Sequence, residues 1–146
     1  MPRRLTQTAL RLLDAAARLA GRGPQSAPHM ATGRSGEEQA YFYLRRQGYV
    51  IVARNWRSPY RKGELDMVGW DAGMLCFIEV KTRSTREVKP AEAAVDDEKQ
   101  CALAAIARDY LRRLPQPASV RFDVVSVYCE NKDAEISLFK GAFSQS

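Results

Sequence analysis

The apolar pattern of the chain changes character at about residue 30. Over residues 5–20, leucine and alanine recur at helical spacing, which predicts a short amphipathic helix. Charged residues interrupt every apolar run of this helix, so we expect neither a membrane span nor a secretory signal. The glycine, proline and serine residues that follow are typical of a linker. We therefore predict an N-terminal extension over residues 1–30, with Met30 as an alternative start, and one folded domain over residues 31–146.

Within the domain, apolar periodicity predicts two helices and five strands. Ser35 is expected to cap the first helix, with Glu38 completing an S-x-x-E capping box and Gly48 ending the helix. The second helix is expected to be capped near Asp96 or Asp97 and to be ended by Pro115. Runs rich in valine, isoleucine and aromatic residues predict strands over residues 49–56, 64–70, 75–82, 121–128 and 135–139. This order of elements predicts an α/β domain.

The third predicted strand carries an acid and a base on one face. Glu79 and Lys81 are two residues apart, so their side chains point to the same side of the strand. Whether Asp66 of the preceding strand joins them depends on the turn between the strands. A two-residue turn at residues 72–73 places Asp66 opposite Glu79 on the same face, whereas a three-residue loop places it opposite Ile78 and separates the carboxylates. A site built from these residues therefore requires an even turn or a compensating bulge.

Two carboxylates beside a lysine suit a hard divalent cation. Mg²⁺ commonly takes one or two carboxylates plus water, and leaves coordination positions for a substrate phosphate. Lys81 would then hold the attacking water or stabilise the charge that builds on phosphorus. Glu37 lies on the inner, apolar stripe of the first helix, so its carboxylate is expected to point toward the domain body. Helix capping and a favourable dipole position are the alternative explanation for Glu37.

The positive charge of the chain is unevenly distributed. The net charge is +6, but five arginines and one aspartate in residues 1–30 account for +4 of it. Local clustering is more informative, because seven basic and only two acidic residues lie between Arg34 and Lys62. This cluster predicts contact with phosphates, with a solvated face as the alternative. The candidates for nucleic-acid binding are Arg54, Arg57, Arg61 and Lys62, joined by Lys99 at the start of the second helix.

Cysteine and histidine usage excludes several other kinds of site. The three cysteines are far apart and match no metal-binding spacing, which indicates reduced thiols in a cytoplasmic protein. A single histidine excludes a multi-histidine metal site and argues against a Ser-His-Asp mechanism. Trp56 ends a strand and is expected in the core rather than against a base. The carboxylates and lysines therefore remain the main candidates for chemistry.

Longer motifs around these residues resemble a known superfamily. Gly63-Glu64-Leu65-Asp66 followed by Phe77-Ile78-Glu79-Val80-Lys81-Thr82-Arg83 resembles the PD-(D/E)XK, restriction-endonuclease-like superfamily. Over about residues 33–143, the chain also resembles the YraN family of bacterial proteins. The segments that carry this second resemblance are Gly33-Arg34-x-Gly36-Glu37, Arg54-Asn55-Trp56-Arg57, Ala94-Val95 with Lys99, and Arg121-Phe122-Asp123-Val124-Val125.

The resemblance implies both a fold and a set of site residues. The superfamily fold is a mixed central β-sheet, here of about five strands, flanked by helices. Asp66, Glu79 and Val80 match its metal-ligand positions, and Lys81 matches its catalytic lysine. Members that resemble Holliday-junction resolvases add a glutamate from the first helix, and Glu37 fits that role. Residues 86–90 depart from the family pattern, in which an aromatic-glycine pair is expected.

We therefore expect a Mg²⁺- or Mn²⁺-dependent endonuclease that acts on DNA, including branched or damaged structures. Nucleic acid is the expected partner, a homodimer is left open, and no membrane partner is expected. One alternative is a non-catalytic module that keeps the nuclease fold to bind nucleic acid or another protein. A second alternative is an RNA substrate.

Overall fold

The computed structural model describes residues 28–83, 95–130 and 133–144. The chain divides into two units, Met1–Met30 and Ala31–Ser146, and the fold below belongs to the second. The helix predicted over residues 5–20 and the divergent segment at 86–90 lie outside the described residues, so both stay predictions. The boundary that we placed at residue 30 also stays a prediction.

Five strands form one mixed sheet between two helices. Helix α1 spans Pro28–Arg46 and helix α2 spans Asp97–Leu111. The sheet has the order β1-β2-β3-β4-β5, with β3 and β4 parallel and the other neighbours antiparallel. This confirms the predicted α/β, restriction-endonuclease-like architecture. The strands are β1 (Val50–Arg57), β2 (Glu64–Asp71), β3 (Met74–Arg83), β4 (Val120–Glu130) and β5 (Asp133–Phe143).

Each face of the sheet packs on one helix. Leu103 and Ile106 of α2 join the buried cluster that contains Phe77 of β3. On the other face, Ala40 and Leu44 of α1 join the cluster that contains Ile78. Neighbouring residues of a strand point to opposite faces, so a strand covered on both sides is apolar at consecutive positions. Residues 75–78 of β3 are all buried for this reason.

Helix α1 begins seven residues earlier than the sequence predicts. Proline is favoured in the first turn of a helix, because its fixed φ suits the helix and its missing N–H needs no partner there, so Pro28 is compatible with the observed start. Ser35 is therefore not the cap that we predicted. It lies inside the helix, and its hydroxyl accepts a hydrogen bond of 3.3 Å from the Gln39 side chain. For α2, Asp96 is the N-cap, and its carboxylate accepts a hydrogen bond of 2.8 Å from the Lys99 N–H.

A buried polar network lies at the hairpin end of the sheet. The side chain of Asp123 is fully buried, and it accepts hydrogen bonds from the Tyr49 hydroxyl, at 2.9 Å, and from the Arg121 guanidinium. Arg121 also binds Asp71, beside the β2–β3 turn, at 2.7 Å. Burial and the Asp123 carboxylate raise the pKa of Tyr49 far above its usual range, so this hydroxyl stays a donor. The network satisfies the buried charges and has a structural role.

Within the described part of the chain, neither helix combines the length and the apolar character that crossing a bilayer requires.

Candidate active site

The turn between β2 and β3 has the even length that the site requires. Ala72 and Gly73 have φ angles of 48° and 82°, as expected in a two-residue type I′ hairpin turn. The strand register runs from Asp71 opposite Met74 to Met67 opposite Ile78. The next pair in this register is Asp66 and Glu79. The turn therefore has the parity that the site requires, and the two carboxylates lie side by side.

Asp66 is fixed by the backbone of the neighbouring strand. The last paired residues of β2 and β3 are Met67 and Ile78. Beyond them, the Val80 N–H donates a hydrogen bond of 2.8 Å to Asp66 Oδ2. The carboxylate thus occupies the position that a backbone carbonyl would take in a continued ladder. Asp66 is held where the two strands separate, and its side chain also interacts with that of Glu79.

Glu79 lies between two lysines that come from different elements. Its side chain is buried, and its Oε1 atom is 3.3 Å from Lys81 Nζ and 3.5 Å from Lys99 Nζ. Lys81 follows on β3, whereas Lys99 reaches the site from the first turn of α2. We predicted Lys99 only as a phosphate contact on the basic surface. Its position beside Glu79 depends on how α2 packs against the sheet, and no local pattern in the sequence indicates it.

The carboxylates of the site repel one another electrostatically. Burial raises the pKa of Asp66, and the neighbouring carboxylate of Glu79 raises it further. The Val80 N–H lowers this pKa, but its effect is smaller than that of burial or of Glu79. Glu37 also raises the pKa of Asp66, so the inward orientation predicted for Glu37 brings its charge within range of the pair. A cation bound here would relieve the repulsion.

Close contact between α1 and β3 brings Glu37 to this position. Gly36 packs directly on the side chain of Thr82, the residue after Lys81, and a Cβ atom at Gly36 would collide with the Thr82 hydroxyl. Glycine therefore allows the helix to approach the strand more closely than any other residue would. As a result, the residue that follows Gly36 lies near the end of β3 where the two carboxylates meet.

The donor set fits Mg²⁺ better than a metal that needs many protein ligands. Among residues 28–83, 95–130 and 133–144, no group of three or more His, Cys, Asp or Glu side chains is arranged to hold a metal ion. Asp66 and Glu79 supply two carboxylates, and Mg²⁺ commonly completes such a set with water and substrate phosphate. Val80 can act as a ligand only through its backbone carbonyl, and its role in metal binding stays a prediction.

The basic residues predicted to bind nucleic acid do not form one patch around the carboxylates. The guanidinium of Arg54 lies over the ring of Tyr41 in α1, 4.4 Å from its centroid. Arg57 forms an exposed ion pair of 3.1 Å with Glu64, and Lys62 is exposed on the loop over residues 58–63.

Arg61 is engaged with a buried partner in α2. Its Nε atom is 2.7 Å from Asp109 Oδ2, and the Ser58 hydroxyl donates to the same oxygen at 2.6 Å. Asp109 is buried, and these two donors lower its pKa. The sequence does not indicate a role for Asp109. Its side chain is recognised as buried and bonded only from the packing of the loop on α2.

The two aromatic residues near the basic cluster have different environments. Trp56 packs edge-on against Tyr110 of α2 at a ring-centroid distance of 5.2 Å, as expected for the core position that we predicted. Tyr60 is 75% exposed, and the sequence analysis did not single it out. Its position in a short basic loop beside a proline is the only feature of the sequence that indicates this exposure.

Comparison with known proteins gives a consistent match. The model of a family described as "Uncharacterised protein family UPF0102" matches residues 36–127. A UPF0102 protein of Koribacter versatilis is 53% identical over 138 residues, which cover 94% of each chain. A UPF0102 protein of Solibacter usitatus is 49% identical over 112 residues, covering 76% of this chain and 84% of the relative. These matches confirm the YraN resemblance seen in the motifs.

Proposed function

The chain belongs to the UPF0102 protein family, and we propose that it is a Mg²⁺- or Mn²⁺-dependent nuclease that hydrolyses phosphodiester bonds in DNA, including branched or damaged structures. One observation carries the proposal: Asp66 and Glu79 lie side by side where β2 and β3 separate, with Lys81 and Lys99 beside them. A purely structural cluster has no need for a buried aspartate whose pKa is raised by an adjacent carboxylate.

The formal charges of the site support binding of a cation together with a phosphate. Glu37, Asp66 and Glu79 contribute three negative charges when ionised, and Lys81 with Lys99 contribute two positive charges. The net charge of −1 would repel a phosphodiester. A bound divalent cation changes this net charge to +1, which attracts the single negative charge of the scissile phosphate.

Each side chain has a definite role in this mechanism. Asp66 and Glu79 would hold the cation, which when bound neutralises phosphate charge and makes a water molecule more acidic. The Glu79 carboxylate also orients Lys81, whose ammonium group can donate to a phosphate oxygen as charge develops there. Lys99 presents a second ammonium group from α2 and can hold a neighbouring phosphate. Glu37 acts nearby as an acceptor for a proton of the attacking water or of a water that binds the cation.

The test uses the purified full chain with Mg²⁺, Mn²⁺ or EDTA against linear, single-stranded and branched DNA, and against RNA. We expect metal-dependent cleavage that Glu79→Gln and Lys81→Met each reduce by at least about 100-fold, since each loses a group that acts in the transition state. Glu98→Gln is the matched control, because Glu98 is an exposed carboxylate on the first turn of α2.

Two outcomes would remove this proposal. Equal cleavage by the wild type and by Glu79→Gln would identify a contaminating nuclease. Tight, salt-dependent binding without cleavage under any metal condition would instead favour the non-catalytic binding module. Cleavage of RNA alone would keep the nuclease and change its substrate.

A further inference from the structure

An aromatic side chain projects from the loop between β1 and β2. Among the described residues, the large apolar side chains that are exposed belong to Val50, Val52 and Tyr60, and Tyr60 is the most exposed of them at 75%. Val50 and Val52 lie on the edge strand β1, whereas Tyr60 lies in the loop over residues 58–63. A tyrosine in this position presents both its ring and its hydroxyl to the solvent.

The loop holds Tyr60 outward without using its ring for packing. On one side of the tyrosine, the Ser58 hydroxyl donates to Asp109 at 2.6 Å, and on the other side Arg61 Nε donates to the same carboxylate at 2.7 Å. The Tyr60 N–H donates back to the Ser58 hydroxyl at 3.1 Å. Because Asp109 is buried in α2, its bonds to Ser58 and Arg61 fix the loop to the body of the domain on both sides of Tyr60. The ring is therefore presented at a defined place, which lowers the entropy cost of binding a partner there.

The surroundings of the ring are cationic. Arg57, Arg61 and Lys62 lie in the chain segment around Tyr60, and no acidic residue lies between Arg57 and Lys62. Arg112, the C-cap residue of α2, adds a fourth positive charge, since its guanidinium is 3.5 Å from Asp109 and its side chain is 69% exposed. Glu64, paired with Arg57, and Asp109, paired with Arg61, offset two of these four charges, so the surroundings of the ring keep a formal charge of +2. An exposed aromatic ring among exposed cations is the combination by which proteins bind single-stranded nucleic acid, with bases on the ring and phosphates on the cations.

The loop is within reach of the proposed nuclease site. Tyr60 precedes Asp66 by six residues, and a fully extended chain of that length spans at most about 20 Å. Stacked nucleotides of one strand are about 3.4 Å apart, so the backbones at Tyr60 and Asp66 are separated by no more than about six nucleotides, to which the two side chains add a few at most. One strand can therefore contact both places.

We propose that Tyr60 stacks on an unpaired base near the scissile phosphate, so that the site takes nucleic acid with a single-stranded segment rather than continuous duplex. This inference rests on the proposed nuclease function and specifies its substrate class. In a continuous duplex the faces of the bases are covered by their neighbours, so only an unpaired or terminal base offers a free face to the ring. The cations around the loop hold the adjoining phosphates.

The test measures binding by fluorescence anisotropy in EDTA, using the full chain and labelled oligonucleotides. The probes are single-stranded DNA, single-stranded RNA, a duplex with a single-stranded tail, and a blunt duplex. We expect Tyr60→Ala to weaken binding to the tailed duplex and single strands by about 5- to 150-fold, and to the blunt duplex by less than about 2-fold. Tyr60→Phe keeps the ring and is expected to bind like the wild type.

A salt titration separates stacking from charge. Tyr60→Ala should keep the slope of log affinity against log salt, because it removes no charge, whereas Lys62→Ala should reduce the magnitude of that slope by about 1. Circular dichroism and thermal unfolding check that the variants fold. Since the Tyr60 ring is largely exposed, neither signal is expected to change.

Three results would overturn the inference: unchanged binding of the tailed duplex by Tyr60→Ala, an equal loss on the blunt duplex, or a loss in Tyr60→Phe as large as in Tyr60→Ala. A larger Tyr60 effect on RNA than on DNA supports stacking and assigns the strand as RNA. Absence of binding by the wild type to every probe would overturn the inference and leave the loop as a surface for a protein partner.

The inference and the nuclease proposal can fail separately. Metal-dependent cleavage with binding that does not depend on Tyr60 would keep the nuclease and remove the stacking. Binding that depends on Tyr60 without cleavage would keep the stacking and remove the nuclease.

Discussion

The substitution Asp66→Asn is expected to change how stability depends on pH. Asparagine cannot ionise, but its side-chain oxygen can still accept the hydrogen bond from the Val80 N–H. The variant therefore removes the charge of Asp66 and keeps its structural contact. Because burial and Glu79 raise the pKa of Asp66 in the folded protein, its carboxylate binds a proton there at pH values where the unfolded chain has lost it.

The sign of the effect follows from proton linkage. Between the ordinary aspartate pKa of about 4 and the raised folded-state pKa, the folded wild type binds more protons than the unfolded chain. Its free energy of unfolding therefore falls as pH rises through this window, by as much as about 1.4 kcal/mol per pH unit. Asp66→Asn lacks this contribution, so relative to the wild type it becomes more stable as pH increases.

Urea unfolding at pH 5, 6, 7 and 8 in EDTA measures this difference. A bound divalent cation favours the ionised carboxylate, so Mg²⁺ should stabilise the wild type most at the higher pH values and should stabilise Asp66→Asn little. Asp97→Asn, which removes an exposed carboxylate of α2, is the matched control. A wild type that gains stability relative to Asp66→Asn between pH 5 and pH 8 in EDTA would refute the electrostatic account of the site.

Three further predictions concern the elements around the site. Lys99→Ala should slow cleavage and reduce by about 1 the magnitude of the slope of log affinity for nucleic acid against log salt, with Lys99→Arg closer to the wild type. Lys140→Ala, beside the hairpin turn, is the control. Gly36→Ala should lower the free energy of unfolding by about 1–3 kcal/mol, because its methyl group collides with Thr82. Urea unfolding should show that part of this stability returns when Gly36→Ala is combined with Thr82→Ala. Ser58→Ala should lower the free energy of unfolding by about 1–3 kcal/mol and increase amide hydrogen exchange in the loop over residues 58–63. Unchanged exchange would show that Arg61 alone anchors this loop.

The sequence predicts the strands and the hairpin, because both depend on residues that are close together in the chain. The strands were predicted because alternating and continuous apolar runs reflect how many faces of a strand are covered, as in β3. The hairpin was predicted because Ala72 and Gly73 follow Asp71 between two such runs. The sequence left open whether the turn has two or three residues, and the observed register of β2 and β3 is what pairs Asp66 with Glu79.

The features that were missed depend on contacts between distant parts of the chain. Gly36 falls within the helix predicted from Ser35 onward, but nothing near it in the sequence indicates that this helix approaches Thr82 closely. Lys99 reaches Glu79 only because α2 packs across the sheet, and the two residues are 20 positions apart. The exposure of Tyr60 likewise follows from the way in which Asp109 anchors the loop on both sides of it.

The two-residue turn at Ala72 and Gly73 also limits how this protein can vary. One residue inserted into or deleted from the hairpin would shift the pairing of β2 and β3 by one position and turn Asp66 to the opposite face of the sheet. Two residues would lengthen the turn and leave the faces unchanged. Functional relatives should therefore differ in hairpin length by even numbers, or carry a bulge where the difference is odd. The length of a surface turn that begins six residues after Asp66 thus indicates whether a relative retains the site.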